Sequence, residues 1–150
     1  MSDPQVRKSL VGRWALQGCV GRSGSKAMHP LGANPLGMLV YTRQSMIVFI
    51  SASERRQFST EDIRAIPAAE VIADFATFET YFGRYQIDTR RSIVTHVVES
   101  SKIPNHIGRE LCRHFRLTSD TLVLTATTEL WLDGVPWIFE LGWKKQESFP

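Results

Sequence analysis

Ile93-Val94-Thr95-His96-Val97-Val98-Glu99-Ser100-Ser101 decides how this chain is read. Val94, His96 and Val98 fall on every second position, so in an extended strand they share one face. Three other runs repeat the pattern: Tyr85-Ile87, Leu111-Arg113-Phe115 and Trp137-Phe139-Leu141-Trp143. Alternation therefore sets His96 and Arg113 among valines, leucines and aromatic rings. Burying a charged side chain costs several kcal/mol, roughly, in lost hydration. A face of this kind points to a cavity that handles a small polar or ionisable molecule.

Outward from these runs the chain reads as strands joined in sequence order. Ser9 to Gly18 reads as a first strand, followed by a Gly-, Ser- and Pro-rich loop from Val20 to Pro35. Gly37 to Thr42 and Met46 to Ser51 read as a hairpin turned at Arg43-Gln44-Ser45. Glu54 to Ile66 is polar and irregular. Pro67 then suits the first turn of a helix, and Val71, Phe75, Phe78 and Phe82 form one apolar stripe at helical spacing. Strands resume at Phe82–Asp88, Ile93–Ser101, Gly108–Leu117, Leu122–Trp131 and Pro136–Lys145. Asp133-Gly134 is a strong hairpin signal, because a tight primed turn needs positive φ. A meander of eight strands has exposed edges unless it closes, so the expected fold is mainly β. It is an eight-stranded antiparallel up-and-down β-barrel with one inserted helix around residues 67–82.

Composition bounds the function classes. At 150 residues the chain makes one domain, spanning 1–150, and its 43% hydrophobic content is ordinary for a globular protein. The net charge of +3 is dispersed over pairs such as Arg55-Arg56, Arg90-Arg91 and Lys144-Lys145. A nucleic-acid binder would cluster such charge on one face, so no nucleic-acid partner is expected. No apolar run is long enough to span a bilayer and Met1 to Ser9 lacks a signal-like apolar segment, so no membrane partner and a cytoplasmic location are expected. Cys19 and Cys112 fit reduced thiols there, and neither has metal spacing. There is no phosphate-binding glycine loop and no dinucleotide fingerprint, so no cofactor and no metal are expected. A homodimer is an open option.

The chain resembles the bacterial and fungal lipocalin-like domain proteins. Gly12-Arg13-Trp14 matches the Gly-x-Trp signature of lipocalins. A longer ordered set carries the resemblance further: Leu10 to Trp14, Pro30-Leu31-Gly32, Gly37 to Thr42, Tyr81 to Asp88, Val94 to Ser100, Pro104 to Gly108, and Arg113-His114-Phe115. The resemblance implies an eight-stranded barrel with a helix inserted in the first half. Secreted lipocalins pack an arginine from the last strand over the signature tryptophan; here Lys144 and Lys145 stand in that region, and a lysine contact to Trp14 is the expected substitute. The resemblance is thus to the intracellular group, some of whose members act without cofactor as isomerases or cyclases in natural-product pathways, while others only hold ligands.

Within that frame His96 is the candidate proton-transfer residue, since its ordinary pKa lies near neutrality. Arg113 offers a fixed fork for a carboxylate, enolate or carbonyl oxygen, unless Glu99, Glu129 or Glu140 pairs it internally. Parity turns Glu99 and Glu140 outward and leaves Glu129 open. Tyr85 supplies a phenol donor, completing the catalytic set His96, Arg113 and Tyr85. Tyr41, Asn105, Trp137, Phe139 and Trp143 are the candidate substrate-binding residues, the aromatic ones as an inner wall that stacks on a flat ligand. His114 should face outward. The expected function is cofactor-independent isomerase, cyclase or lyase chemistry of secondary metabolism on a small hydrophobic, oxygen-bearing molecule. The alternatives are a carrier that sequesters such a metabolite and an interaction module with a filled barrel.

Overall fold

The computed structural model describes all residues, 1–150. The chain enters as helix α1 (Asp3–Leu10), then strands β1 (Gly12–Ser23), β2 (Lys26–Met28), β3 (Leu36–Tyr41) and β4 (Ser45–Ser51). Helix α2 (Ala68–Phe75) precedes β5 (Phe78–Asp88), β6 (Ile93–Ser101), a short 3-10 turn at Pro104–His106 and β7 (Glu110–Leu117). β8 (Thr121–Ala126), β9 (Leu130–Leu132) and β10 (Val135–Ser148) complete the chain. The strands pair antiparallel in the order β1-β3-β4-β5-β6-β7-β8-β10, and β1 returns to pair with β10. That closure makes an eight-stranded barrel with no free edge; β2 and β9 are short ribbons attached to it. Tyr85 faces His96 across one rung, His96 faces Leu111, and Arg113 faces Val94 and Ala126, so the alternation read from the sequence is the inner wall.

The two ends of the barrel differ. The lower interior is filled by Trp14, Tyr41, Leu39, Val94 and Leu122, all essentially inaccessible. Helix α1 closes this end with Val6 and Leu10. The helix forms because Ser2 and Gln5 make a capping box and Pro4 occupies its first turn. Trp14 Nε1 donates to the Leu10 carbonyl at 2.9 Å and Lys145 Nζ to that of Ser9 at 2.6 Å. Lys145 also stands 5.1 Å from the Trp14 ring centroid, the lysine contact expected there. At Gly12 the backbone turns from helix to strand at φ +144°, and a Cβ there would lie 2.2 Å from the Glu147 carbonyl oxygen, so the glycine lets β1 meet β10. At the upper end the inward residues Ile50, Tyr81, Leu111, Arg113, Ala126, Trp137 and Phe139 are only partly buried. The barrel is a cup with a sealed floor and an accessible upper lumen.

Several boundaries differ from the sequence expectation. Ser9 and Leu10 end a helix instead of starting a strand. β1 runs on to Ser23 and turns back at Gly24 (φ +57°) into β2, so the loop expected from Val20 begins later. The inserted helix ends at Phe75, not near 82, because Thr77 donates through Oγ1 to the Asp74 carbonyl at 2.6 Å and β5 begins at Phe78. Helix α2 buries no residue: Val71, Ile72 and Phe75 are exposed, so its stripe does not pack on the barrel. It is held instead by Arg55 bidentate to Asp74, by Ser59 on Glu70, and by Lys102, whose ammonium binds the Phe75 and Phe78 carbonyls. No helix is long and apolar enough to cross a membrane.

Candidate functional site in the upper lumen

Three strands place a polar chain in the middle of the barrel. β3 contributes Tyr41, β5 contributes Tyr81 and β6 contributes His96. Tyr41 Oη lies 2.6 Å from His96 Nε2, and Tyr81 Oη lies 2.7 Å from His96 Nδ1. Both ring nitrogens are therefore taken by phenols. His96 is 2% exposed, and burial followed by the nearby Arg113 charge pulls its pKa down from 6.5 to about 3. The imidazole is neutral and carries one proton.

Counting hydrogens sets the direction of the chain. A neutral histidine donates from one nitrogen and accepts at the other. If it donated to Tyr41, the Tyr41 hydroxyl proton would need an acceptor in a fully buried, aromatic surrounding beside the Tyr85 ring, 4.8 Å away. If Tyr41 donates to Nε2, then Nδ1–H donates to Tyr81, and the unassigned proton belongs to Tyr81, which is only partly buried. The second arrangement leaves no buried donor orphaned and aims the Tyr81 hydroxyl proton into the lumen. Burial raises the pKa of both phenols, and the neighbouring Arg113 opposes the rise at Tyr81.

Arg113 projects from β7 onto the inner wall beside Tyr81. One guanidinium nitrogen donates to the Cys112 carbonyl at 3.0 Å. The guanidinium also reaches the Tyr81 hydroxyl, and none of its nitrogens is among the sealed, unpartnered polar atoms. No carboxylate pairs with Arg113: Glu99 is bound outside to Arg84, Glu140 accepts from Thr125, and Glu129 is exposed. The internal ion pair weighed from the sequence does not form.

The remaining candidates fall in different places. Tyr85 is inward and 4% exposed, but its hydroxyl donates to the Thr42 carbonyl at 2.7 Å and Arg7 covers its ring, so it ties the floor to β3. Asn105 is exposed in the turn after β6, away from the polar chain. Trp137 and Phe139 line the accessible upper wall, while Trp143 is buried lower down with no acceptor for its indole N–H. His114 is exposed, as its parity requires. Tyr81 was missed because the helical stripe was carried through it; its alternation with Gly83 and Tyr85 is the signal that marks it as inward.

A depression of about 530 Å³ lies elsewhere, outside the sealed floor, bordered by Thr42, Arg43, Gln44, Ser45 and Phe149. It contains no part of the polar chain, and its polar side chains are the Arg43 guanidinium, the Gln44 amide and the Thr42 and Ser45 hydroxyls.

A family model described as a lipocalin-like domain matches residues 11–146. No curated protein and no solved structure matches the chain.

Proposed function

The chain belongs to the lipocalin-like domain family, whose barrel suits small-molecule binding, and on that premise we propose that it closes a ring in an apolar, oxygenated molecule held in the upper lumen, without a cofactor. The observation that carries this reading is the hydrogen-bonded run from Tyr41 through His96 to Tyr81, ending beside a guanidinium with no carboxylate partner. Such a wall is an electrophile. Tyr81 and Arg113 together polarise a carbonyl oxygen and hold the negative charge that develops on it. His96 is neutral with both nitrogens engaged, so it acts through Tyr81, fixing that hydroxyl in its donating orientation. The wall offers no free protein base to the lumen. It therefore favours conjugate addition by a substrate oxygen already ionised in solvent over proton abstraction by a side chain: the new C–O bond forms as the C=C π pair shifts onto the oxygen held by Tyr81 and Arg113, and solvent then protonates the enolate carbon. Trp137, Phe139 and Leu141 hold the folded conformer that ring closure needs, which lowers the entropy cost of the step. A bound metabolite carried without chemistry is the second reading, favoured by the same accessible wall.

The test uses 2′-hydroxychalcone, a flat apolar probe whose ring closure is followed by absorbance. The wild-type chain should accelerate closure above the buffer rate. Tyr81→Phe and Arg113→Met should each lower the acceleration by roughly 100-fold, the scale of losing one oxyanion donor. His96→Gln should lower it by about 10-fold, as a positioning effect within the range of misplacement losses. Saturable quenching of tryptophan fluorescence by the probe, with closure no faster than in buffer, would establish the carrier reading instead.

A further inference from the structure

The interior has more donors than acceptors. Arg113 presents guanidinium N–H groups, Tyr81 presents a hydroxyl proton, and the Trp143 indole N–H is buried without an acceptor. The acceptors are already used: both His96 nitrogens face tyrosines, and Tyr81 accepts from His96. The remaining inward cation, Lys145, is bound at the floor to the Ser9 carbonyl. Glu79, which shares its face of β5 with Tyr81, is held by Lys102 at 3.0 Å. The inner wall thus carries positive charge and no free negative charge, inside walls of low polarity that strengthen its field.

From this imbalance we infer that the natural ligand is a monoanion, an acceptor-only carboxylate or enolate oxygen group on a flat apolar body, with Arg113 and Tyr81 as its two-point receptor. The inference rests on the upper-lumen reading above and names its substrate class. A planar guanidinium matches two oxygens of one group, and the phenol adds a third donor from the side. The apolar body lies against Phe139 and Leu141, inward residues of β10 that pack on the core. A neutral ligand of the same shape would leave the guanidinium without its complement, and a cationic one would be repelled.

Two fluorescent probes separate charge from shape: 8-anilinonaphthalene-1-sulfonate and N-phenyl-1-naphthylamine, which share one aromatic body and differ in the anionic group. Energy transfer from tryptophan, compared between the wild-type chain and Trp137→Phe, reports occupancy of the lumen. The wild-type chain should bind the sulfonate at least 10-fold more tightly than the neutral probe, using the scale on which charged hydrogen bonds discriminate. Arg113→Met should abolish that preference and leave the neutral probe within twofold, Arg113→Lys should retain part of it, and the outer-wall control Arg84→Met should retain all of it. Thermal melting of each variant confirms that it is folded, and Arg113→Lys carries the test if Arg113→Met is not. Equal binding of both probes in the lumen, or a preference that survives Arg113→Met, would overturn the anionic class while leaving a lumenal binding site in place. Failure of both probes to enter the lumen would overturn the upper-lumen reading, and the ligand class with it.

Discussion

His96 sits where its charged form has no support: apolar neighbours remove water, and Arg113 repels a second positive charge. Its folded pKa of about 3 lies below its unfolded value near 6.5. Between those values the unfolded chain binds the extra proton, so stability rises with pH. The contribution is fully present above pH 6.5 and is lost progressively as pH falls toward about 3. Urea unfolding should therefore show a wild-type loss of about 1.4 kcal/mol per pH unit from this one group inside that window. His96→Gln should lack that slope while keeping the acid sensitivity of the remaining carboxylates. Equal slopes in the two proteins would mean that the imidazole is hydrated or charged in the folded state. Tyr85 shows the other use of a buried phenol: its proton is committed to the Thr42 carbonyl, so it stabilises the floor and is closed to the lumen.

At the scale of elements, the position of Tyr81 relative to His96 depends on a bulge. Phe82 pairs with Ser100 and Gly83 with Val98, so Glu99 is the extra residue in β6. The bulge lies between the rung of Tyr85 and His96 and the rung of Tyr81, and it sets their offset. Gly83 makes it possible, since a Cβ there would lie 1.9 Å from the Val97 carbonyl oxygen. Gly83→Ala should cost more than about 3 kcal/mol, the scale of a severe backbone clash, read as a fall in the urea midpoint. An unchanged midpoint would show that β5 and β6 can separate freely there. The same feature explains the limits of the sequence reading. Period-2 alternation marked His96, Arg113, Trp137 and Phe139 as inward because each strand needs only its own pattern. The Tyr–His–Tyr contact needs the register of β3, β5 and β6 together, and register shifts at Phe82/Gly83, Arg13/Trp14 and Leu16/Gly18 leave no trace in a local pattern. Phe75, Phe78 and Phe82 suit a helical stripe as well as they suit the start of a strand, so the local pattern overextends α2. Helix α1 leaves little trace in the sequence, because its apolar face is two residues, Val6 and Leu10, in a polar octet.

For the whole molecule, the sealed floor is the structural debt of barrel closure: the lower core depends on a helix outside the sheet. Leu10 is 0% exposed between α1 and the Trp14 layer, and its carbonyl accepts the Trp14 indole. Leu10→Ala should cost about 2–5 kcal/mol, the range for a buried leucine whose cavity does not collapse. The thermal midpoint measures it, and a loss below about 1 kcal/mol would mean that α1 is detachable from the core. Stability is distributed unevenly over the rest of the fold. The lower barrel carries the inaccessible residues, whereas α2 is tethered by Arg55, Ser59 and Lys102 without burying any side chain.

A vessel with one doorway imposes an order of passage. On the proposed reading a ligand enters from the upper end, and the end that leads inward is the end that meets Arg113. What trails behind stays near the brim, where no wall limits its length. Recognition is thereby strict for the leading group and lenient for the tail, and the outgoing molecule must retrace the incoming one's route before the next can follow.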